Sequence, residues 1–159
     1  MIPQAAIDGA LDLLPRRMGT QRARVMLVAI GLQESNFAHR VQVLDGGGRG
    51  PARGFWQFEK GGGVRGVLEH AASAHWARAV CVERKVMTDR HSVWEQLEHD
   101  DVLAAAFARL LLWTDPDALP EDERGGWHYY LRNWRPGKPH ADRWPACWSQ
   151  AMRMVYGWD

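Results

Sequence analysis

The most regular hydrophobic spacing in the chain lies between Thr20 and Ser35. Val25, Val28, Ala29 and Leu32 recur at helical intervals, and Met26, Leu27 and Ile30 widen the apolar face until little is left for solvent. Such a helix is central and surrounded by other elements, with Thr20 placed to cap its N-terminus. Residues 8–14 predict a short opening helix that stops near Pro15. From Val41 to Gly63 helical spacing fails: glycine accumulates as Gly46-Gly47-Gly48, Gly50 and Gly61-Gly62-Gly63, and the alternation Val41-Gln42-Val43 predicts a small hairpin. Helical patterning returns over residues 64–74 and again to Val86, weakened by Gly66. Ser92-Val93-Trp94-Glu95 fits a capping box that opens a short helix. Asp100 or Asp101 caps the next helix, Asp101–Trp113, and residues 114–120 form a turn-rich connector. Residues 121–133 then read as helix, residues 135–139 as a loop, and residues 142–156 as a closing helix that tolerates Pro145 only in its first turn.

The pattern amounts to a mainly α fold, one domain over residues 1–159, with a small irregular or β-hairpin segment around residues 41–63. Composition agrees, since 159 residues that are 46% hydrophobic and 25% charged can bury one sizeable core. The formal charge of +1 hides no basic stripe, so nucleic acid is not an expected partner, and Arg16, Arg17, Arg22 and Arg24 read as a solvated face. No charged n-region precedes an apolar core at the N-terminus, and no apolar stretch reaches membrane-spanning length. The expectation is a soluble monomer with no signal peptide. Cys81 and Cys147 are isolated and read as reduced thiols, with a single bridge between them left open.

Several familiar chemistries have no motif here. There is no phosphate-binding glycine loop of either common type, no H-E-x-x-H around His91, Glu95 and His99, no zinc quartet and no G-x-S-x-G elbow, so neither a metal nor an organic cofactor is expected. Glu34 stands out instead. At the C-terminal end of a buried helix a carboxyl group meets apolar walls and the negative end of the helix dipole, and both favour its protonated form. A general acid for glycosidic cleavage needs that property. The chain also holds nine tryptophans. Trp76, Trp94 and Trp113 sit on apolar helical stretches and are expected in the core. Around Trp127, Tyr129, Tyr130 and Trp134 aromatics alternate with polar groups, a pattern suited either to sugar faces or to packing between the last helices.

Glu34-Ser35, Gly54-Phe55-Trp56-Gln57 and Trp134-Arg135-Pro136-Gly137 together resemble the three motifs, E-S, G-L-M-Q and Y-N-x-G, of the lytic transglycosylase and goose-type lysozyme superfamily, above all the small lysozyme-like proteins of phages and prophages. The resemblance spans residues 25–137. It implies a lysozyme-like helical domain that cuts the β-1,4 bond between N-acetylmuramic acid and N-acetylglucosamine, with peptidoglycan glycan strands as partner. Glu34 would be the catalytic acid and then base, Ser35 would orient it or the substrate, and Gly54, Phe55, Trp56, Gln57, Tyr129, Tyr130 and Trp134 would form the binding cleft. Trp134 and Arg135 stand where the family has Tyr and Asn, so a tyrosine hydroxyl near the carboxylate would come from Tyr129, from Tyr130 or from neither. In such transglycosylases one carboxyl group suffices, because a substrate hydroxyl attacks the anomeric carbon. A muramidase needs a second carboxylate, for which Asp45 is the first candidate and Glu59 the second. Arg53 and Lys138 are candidates for contact with muramyl carboxylates. A non-catalytic wall-binding or virion structural protein is the alternative from another class. Delivery would be by a holin-type route from the host cytoplasm or within a virion.

Overall fold

Helix α2 (Gln21–Ser35) is the axis of the structure, a computed structural model that describes residues 1–157. Thr20 caps it, its hydroxyl oxygen accepting from the Ala23 amide at 3.2 Å, and residues from Val25 to Ile30 are buried without interruption. No face is left for water, so other helices enclose it. α8 (Trp144–Tyr156) packs along it, as does α6 (Asp101–Trp113), which also carries α1 (Gln4–Asp12) and α4 (Ala74–Glu83). Asp100 caps α6, accepting from the Leu103 amide at 3.0 Å. Among the described residues there are eight α-helices and one two-stranded antiparallel sheet, so the chain is mainly α with a small hairpin.

The hairpin joins β1 (Val41–Val43) to β2 (Arg49–Arg53), with Val41 opposite Arg53, Val43 opposite Arg49 and an irregular register between them. Gly50 leaves room for the Gln42 side chain, whose oxygen accepts from the Ala52 amide at 3.2 Å.

Several boundaries differ from the sequence expectation. α1 begins at Gln4, behind Pro3, because Ala5 and Ala6 extend the helix before Asp8 and Ile7 already faces the core. The two helical pieces of residues 64–86 are present but the first is shorter than expected: α3 (Arg65–Glu69) stops where His70 turns extended, and the break before α4 is held by Ser73 Oγ donating to the Val67 carbonyl at 2.7 Å. α5 (Arg90–Gln96) is capped by Asp89, not by Ser92. The Asp89 carboxylate takes both the Ser92 amide and the Ser92 hydroxyl at 2.8 Å, since a charged acceptor outcompetes a hydroxyl for the orphan amide. α7 (Glu123–Trp134) starts two residues late because Asp122 caps it, accepting from the Gly125 amide at 2.7 Å.

The tryptophans are also distributed otherwise than expected. Trp56, Trp144 and Trp148 are buried, whereas Trp76, Trp94 and Trp113 are only half-buried. Trp94 shows the reason: its indole N–H reaches the Pro51 carbonyl at 2.8 Å and its ring carries the cationic ends of Arg53 and Lys60 at 4.3 and 4.6 Å, a demand that suits a surface position. Cys81 is buried, Cys147 half-buried, and both are free thiols. Arg16, Arg17 and Arg22 are exposed, Arg22 pairing with Glu121 and Arg24 with Asp8. No helix among the described residues is long and apolar enough to cross a membrane.

α2 ends in two consecutive left-handed residues, Asn36 at φ 53° and Phe37 at φ 51°, which fold the Phe37 ring back over Gly31. A Cβ at Gly31 would overlap that ring. In an exposed helix Gly→Ala would stabilise by about 1 kcal/mol. Here Gly31→Ala is expected to destabilise by about 1–3 kcal/mol through overpacking, read as a lower midpoint in urea. An unchanged or higher midpoint would mean that the Phe37 ring yields.

Candidate active site

The end of α2 and the turn at residues 54–57 are built against each other. Gly54 at φ 76° and Gln57 at φ 54° bend the chain sharply, and the paired bonds between Arg53 and Phe58, 2.9 Å each way, close the loop. A Cβ at Gly54 would stand 3.1 Å from the Leu97 carbonyl, so a side chain there would be both crowded and strained. The bend leaves carbonyls that helix or sheet cannot satisfy. Ser35 Oγ donates to the Phe55 carbonyl at 2.7 Å and Trp134 Nε1 to the Trp56 carbonyl at 3.0 Å, while Trp56 Nε1 donates back to the Leu27 carbonyl at 2.8 Å. These bonds tie α2, the turn and α7 into one unit.

A cleft of about 710 Å³ opens over that unit. Glu34 and Gln57 line it; the hairpin forms one wall with Val41, Val43, Leu44 and Asp45, and the connection from α7 to α8 forms the other with Arg135, Lys138, His140 and Arg143. One wall is therefore largely apolar and the other cationic. Gln33 braces the junction, its Nε2 donating to the His140 carbonyl at 2.9 Å.

Glu34 is half-buried in the last turn of α2, and Tyr130 Oη donates to its Oε1 at 2.7 Å. Burial pushes the Glu34 carboxyl up to about 7, against the opposing pull of the Tyr130 hydroxyl and the positive charge of Arg143. Tyr130 in turn is held well above the ordinary phenol range by its own burial and by the carboxylate beside it, so it stays a donor. Its ring lies parallel to Trp144, 5.4 Å between centroids with 5° between planes, and Trp127 and Trp134 flank it at 5.5 and 6.3 Å. The phenol has little freedom to leave the carboxyl group.

The other sequence candidates separate. Asp45 and Glu59 both line the cleft and are exposed. Trp134 lines it as well, half-buried. Ser35 borders it, but its hydroxyl is committed to the Phe55 carbonyl and accepts from the Phe37 amide at 3.1 Å, a bracing role. Gly54, Phe55 and Trp56 lie beneath the surface and shape the turn without lining the cleft. Tyr129 faces elsewhere, its hydroxyl reaching the Leu112 and Asp117 carbonyls at 3.0 and 3.2 Å. Arg53 is turned away too, bound to the Gly50 and Ala52 carbonyls, whereas Lys138 does line the cleft. Arg143, His140 and Gln33 were not singled out by sequence. Only a long-range fold contact brings Arg143 and His140 to Glu34, whereas Gln33 precedes it in the chain. No cluster of His, Cys, Asp and Glu able to hold a metal ion occurs among the described residues.

Two measurements follow from this geometry. The Tyr130 hydroxyl favours the charged form of Glu34, so Tyr130→Phe is expected to move the Glu34 midpoint above about 7 in a carboxyl-carbon NMR titration. A midpoint unchanged in the variant would show that the hydrogen bond contributes nothing. Because the folded pKa is raised above the unfolded value, Glu34 disfavours folding increasingly as pH climbs from about 4.5 to about 7. Glu34→Gln is therefore expected to gain about 1–3 kcal/mol over wild type at pH 8 and little at pH 4, by urea unfolding at both. An equal difference at the two pH values would contradict a buried carboxyl. No family model matches the chain, and no curated protein or solved structure matches it, so its likeness to the transglycosylase and lysozyme superfamily rests on the three short motifs alone.

Proposed function

We propose that the protein is a peptidoglycan-cleaving glycosidase acting on the β-1,4 bond between N-acetylmuramic acid and N-acetylglucosamine, with Glu34 as general acid and then base, and that it works as a lytic transglycosylase. The observation that carries the reading is the Glu34 carboxyl itself. It stands at the floor of an open cleft, is raised to about 7 and is fixed by the buried Tyr130 hydroxyl at 2.7 Å. A group so placed exists in both protonation states near neutral pH, as a residue that first donates and then accepts a proton must.

In the cycle the protonated Glu34 gives its proton to the glycosidic oxygen, and the bond from that oxygen to the muramic anomeric carbon breaks. The oxocarbenium-like centre is then attacked by the C6 hydroxyl of the same muramic residue, which passes its proton to the Glu34 carboxylate. The products are a shortened glycan and a 1,6-anhydromuramyl end; no water is consumed, and Glu34 is again protonated. Between the two proton transfers Tyr130 and Arg143 stabilise the carboxylate. The apolar hairpin wall suits pyranose faces, and Lys138, Arg135 and Arg143 suit the carboxylates of the muramyl substituents.

Asp45 and Glu59 favour a second reading, because they line the same cleft and either would activate water in a muramidase. A wall-binding protein without turnover is the third. A monomer that reaches the wall by a holin-type route or within a virion suits each of them.

Mass spectrometry of soluble products from purified peptidoglycan separates the three. Anhydromuramyl products are expected from wild type, with rates falling above pH 7, and Glu34→Gln is expected to lower turnover by at least about a hundredfold. Reducing-end muramic acid carrying one added water would replace the transglycosylase by a muramidase. Binding to the wall with no Glu34-dependent fragment would remove the enzymatic reading.

A further inference from the structure

A second cavity, of about 940 Å³, opens between the turn Arg16–Met18, the C-terminal end of α6, residues 114–119 and α7. Its lining unites the arginines Arg17, Arg22 and Arg109 with an apolar floor that includes Leu112, Trp113 and Leu119. Arg109 is only 2% exposed, in a helix whose other residues after Asp101 are apolar. Its Nε donates to the Met18 carbonyl at 2.7 Å, which leaves the two Nη groups for another partner. Arg109 and Arg17 both lie against the Trp113 ring, at 5.4 and 5.6 Å from its centroid.

No carboxylate pairs with Arg109 or Arg17 among the described residues. Asp115 and Asp117, which line the same cavity, are both engaged by Arg132, and Glu121 is paired with Arg22. Burial accordingly pushes the Arg109 guanidinium down to about 10. Proteins rarely keep a buried charge without a counter-charge, and two cations on one ring with no acid between them repel each other. An anion entering the cavity would relieve both.

The geometry points to a binding site for a carboxylate or phosphate group carried on an apolar or aromatic body. The Arg109 Nη pair supplies a planar fork for two oxygens, Arg17 supplies a second cation at the rim, and Leu112, Leu119 and Trp113 receive the body. The cavity is far too large for a bare anion, which is why the body belongs to the assignment. The site is separate from the cleft, with Tyr129 lining the one and Tyr130 the other, and it does not depend on the glycosidase reading.

The test is an NMR titration of the nitrogen-15-labelled protein at constant ionic strength with benzoate, with its neutral isostere benzamide, and with inorganic phosphate. Benzoate or phosphate, but not benzamide, is expected to shift the Thr20 and Leu119 amides saturably. Arg17→Gln is expected to weaken that binding about tenfold, and Arg109→Lys, which keeps the charge but loses the fork, by at least as much. Tighter benzoate assigns the site to a carboxylate; tighter phosphate assigns it to a phosphate-bearing ligand. The proposal is overturned if no anion shifts those amides, if benzamide does so equally well, if the shifts centre on Glu34 and Gly137 instead, or if Arg17→Gln binds like wild type. Should Arg109→Lys fail to fold, Arg17→Gln carries the test, because Arg17 is exposed.

Discussion

Two side chains converge from outside on the backbone of residues 54–57, and a third reaches back from it to α2; the cleft exists in its present form because of them. The turn satisfies its Gly54 carbonyl from Gln57 but not those of Phe55 and Trp56, so donors to these come from outside. Ser35 supplies one from the end of α2 and Trp134 another from the end of α7, while the turn's own Trp56 returns a bond to α2. Each donor sits one residue from a feature of the site: Ser35 follows Glu34, Trp134 precedes Arg135, and Trp56 precedes Gln57. Satisfying the turn and placing the cleft residues are thus the same structural act. Loss of the Ser35 or Trp134 donor leaves a buried carbonyl of the turn unpaired, which costs about 1–3 kcal/mol.

The electrostatics of Glu34 are a balance and not a single effect. Burial favours the protonated carboxyl, whereas a fully solvated carboxyl would remain ionised at neutral pH. Tyr130 and Arg143 pull against burial and bring the group to about 7. The two act from different elements, α7 and the turn Ala141–Arg143, so the balance depends on how α7 meets α8. Gly126 permits that meeting, because a Cβ there would overlap the Trp148 ring.

Much of this was legible along the chain, for a local reason. α2 and α6 are long and apolar, Thr20 and Asp100 are strong caps, and a carboxyl at the end of a buried helix is recognisable from its neighbours. The hairpin followed from alternation beside glycine, and the loop after α7 from Pro136 and Gly137. What could not be read is what depends on rotation or distance. Tyr129 and Tyr130 are chemically alike, and only the phase of α7, set by the Asp122 cap and the Gly126 contact, decides which meets Glu34. Arg143 lies more than a hundred residues from Glu34 and carries no motif. Trp94 stands at the surface because its indole N–H finds its acceptor at Pro51, which an apolar run does not reveal.

The adjacency of those two tyrosines constrains how this chain can vary between relatives. Successive residues of a helix are about 100° apart, so inserting a single residue between Asp122 and Tyr129 would turn Tyr129 towards Glu34 and away from Leu112, and deleting one would turn Leu131, which has no hydroxyl, to Glu34. Substitutions can accumulate along α7, but changes of length cannot be absorbed there one residue at a time. Length variation is instead expected at the exposed hairpin tip, Gly46-Gly47-Gly48, where the chain touches neither phenol. The helix thereby acts as a ruler whose graduation is inherited whole, leaving the hairpin as the part of the cleft wall free to be lengthened or trimmed.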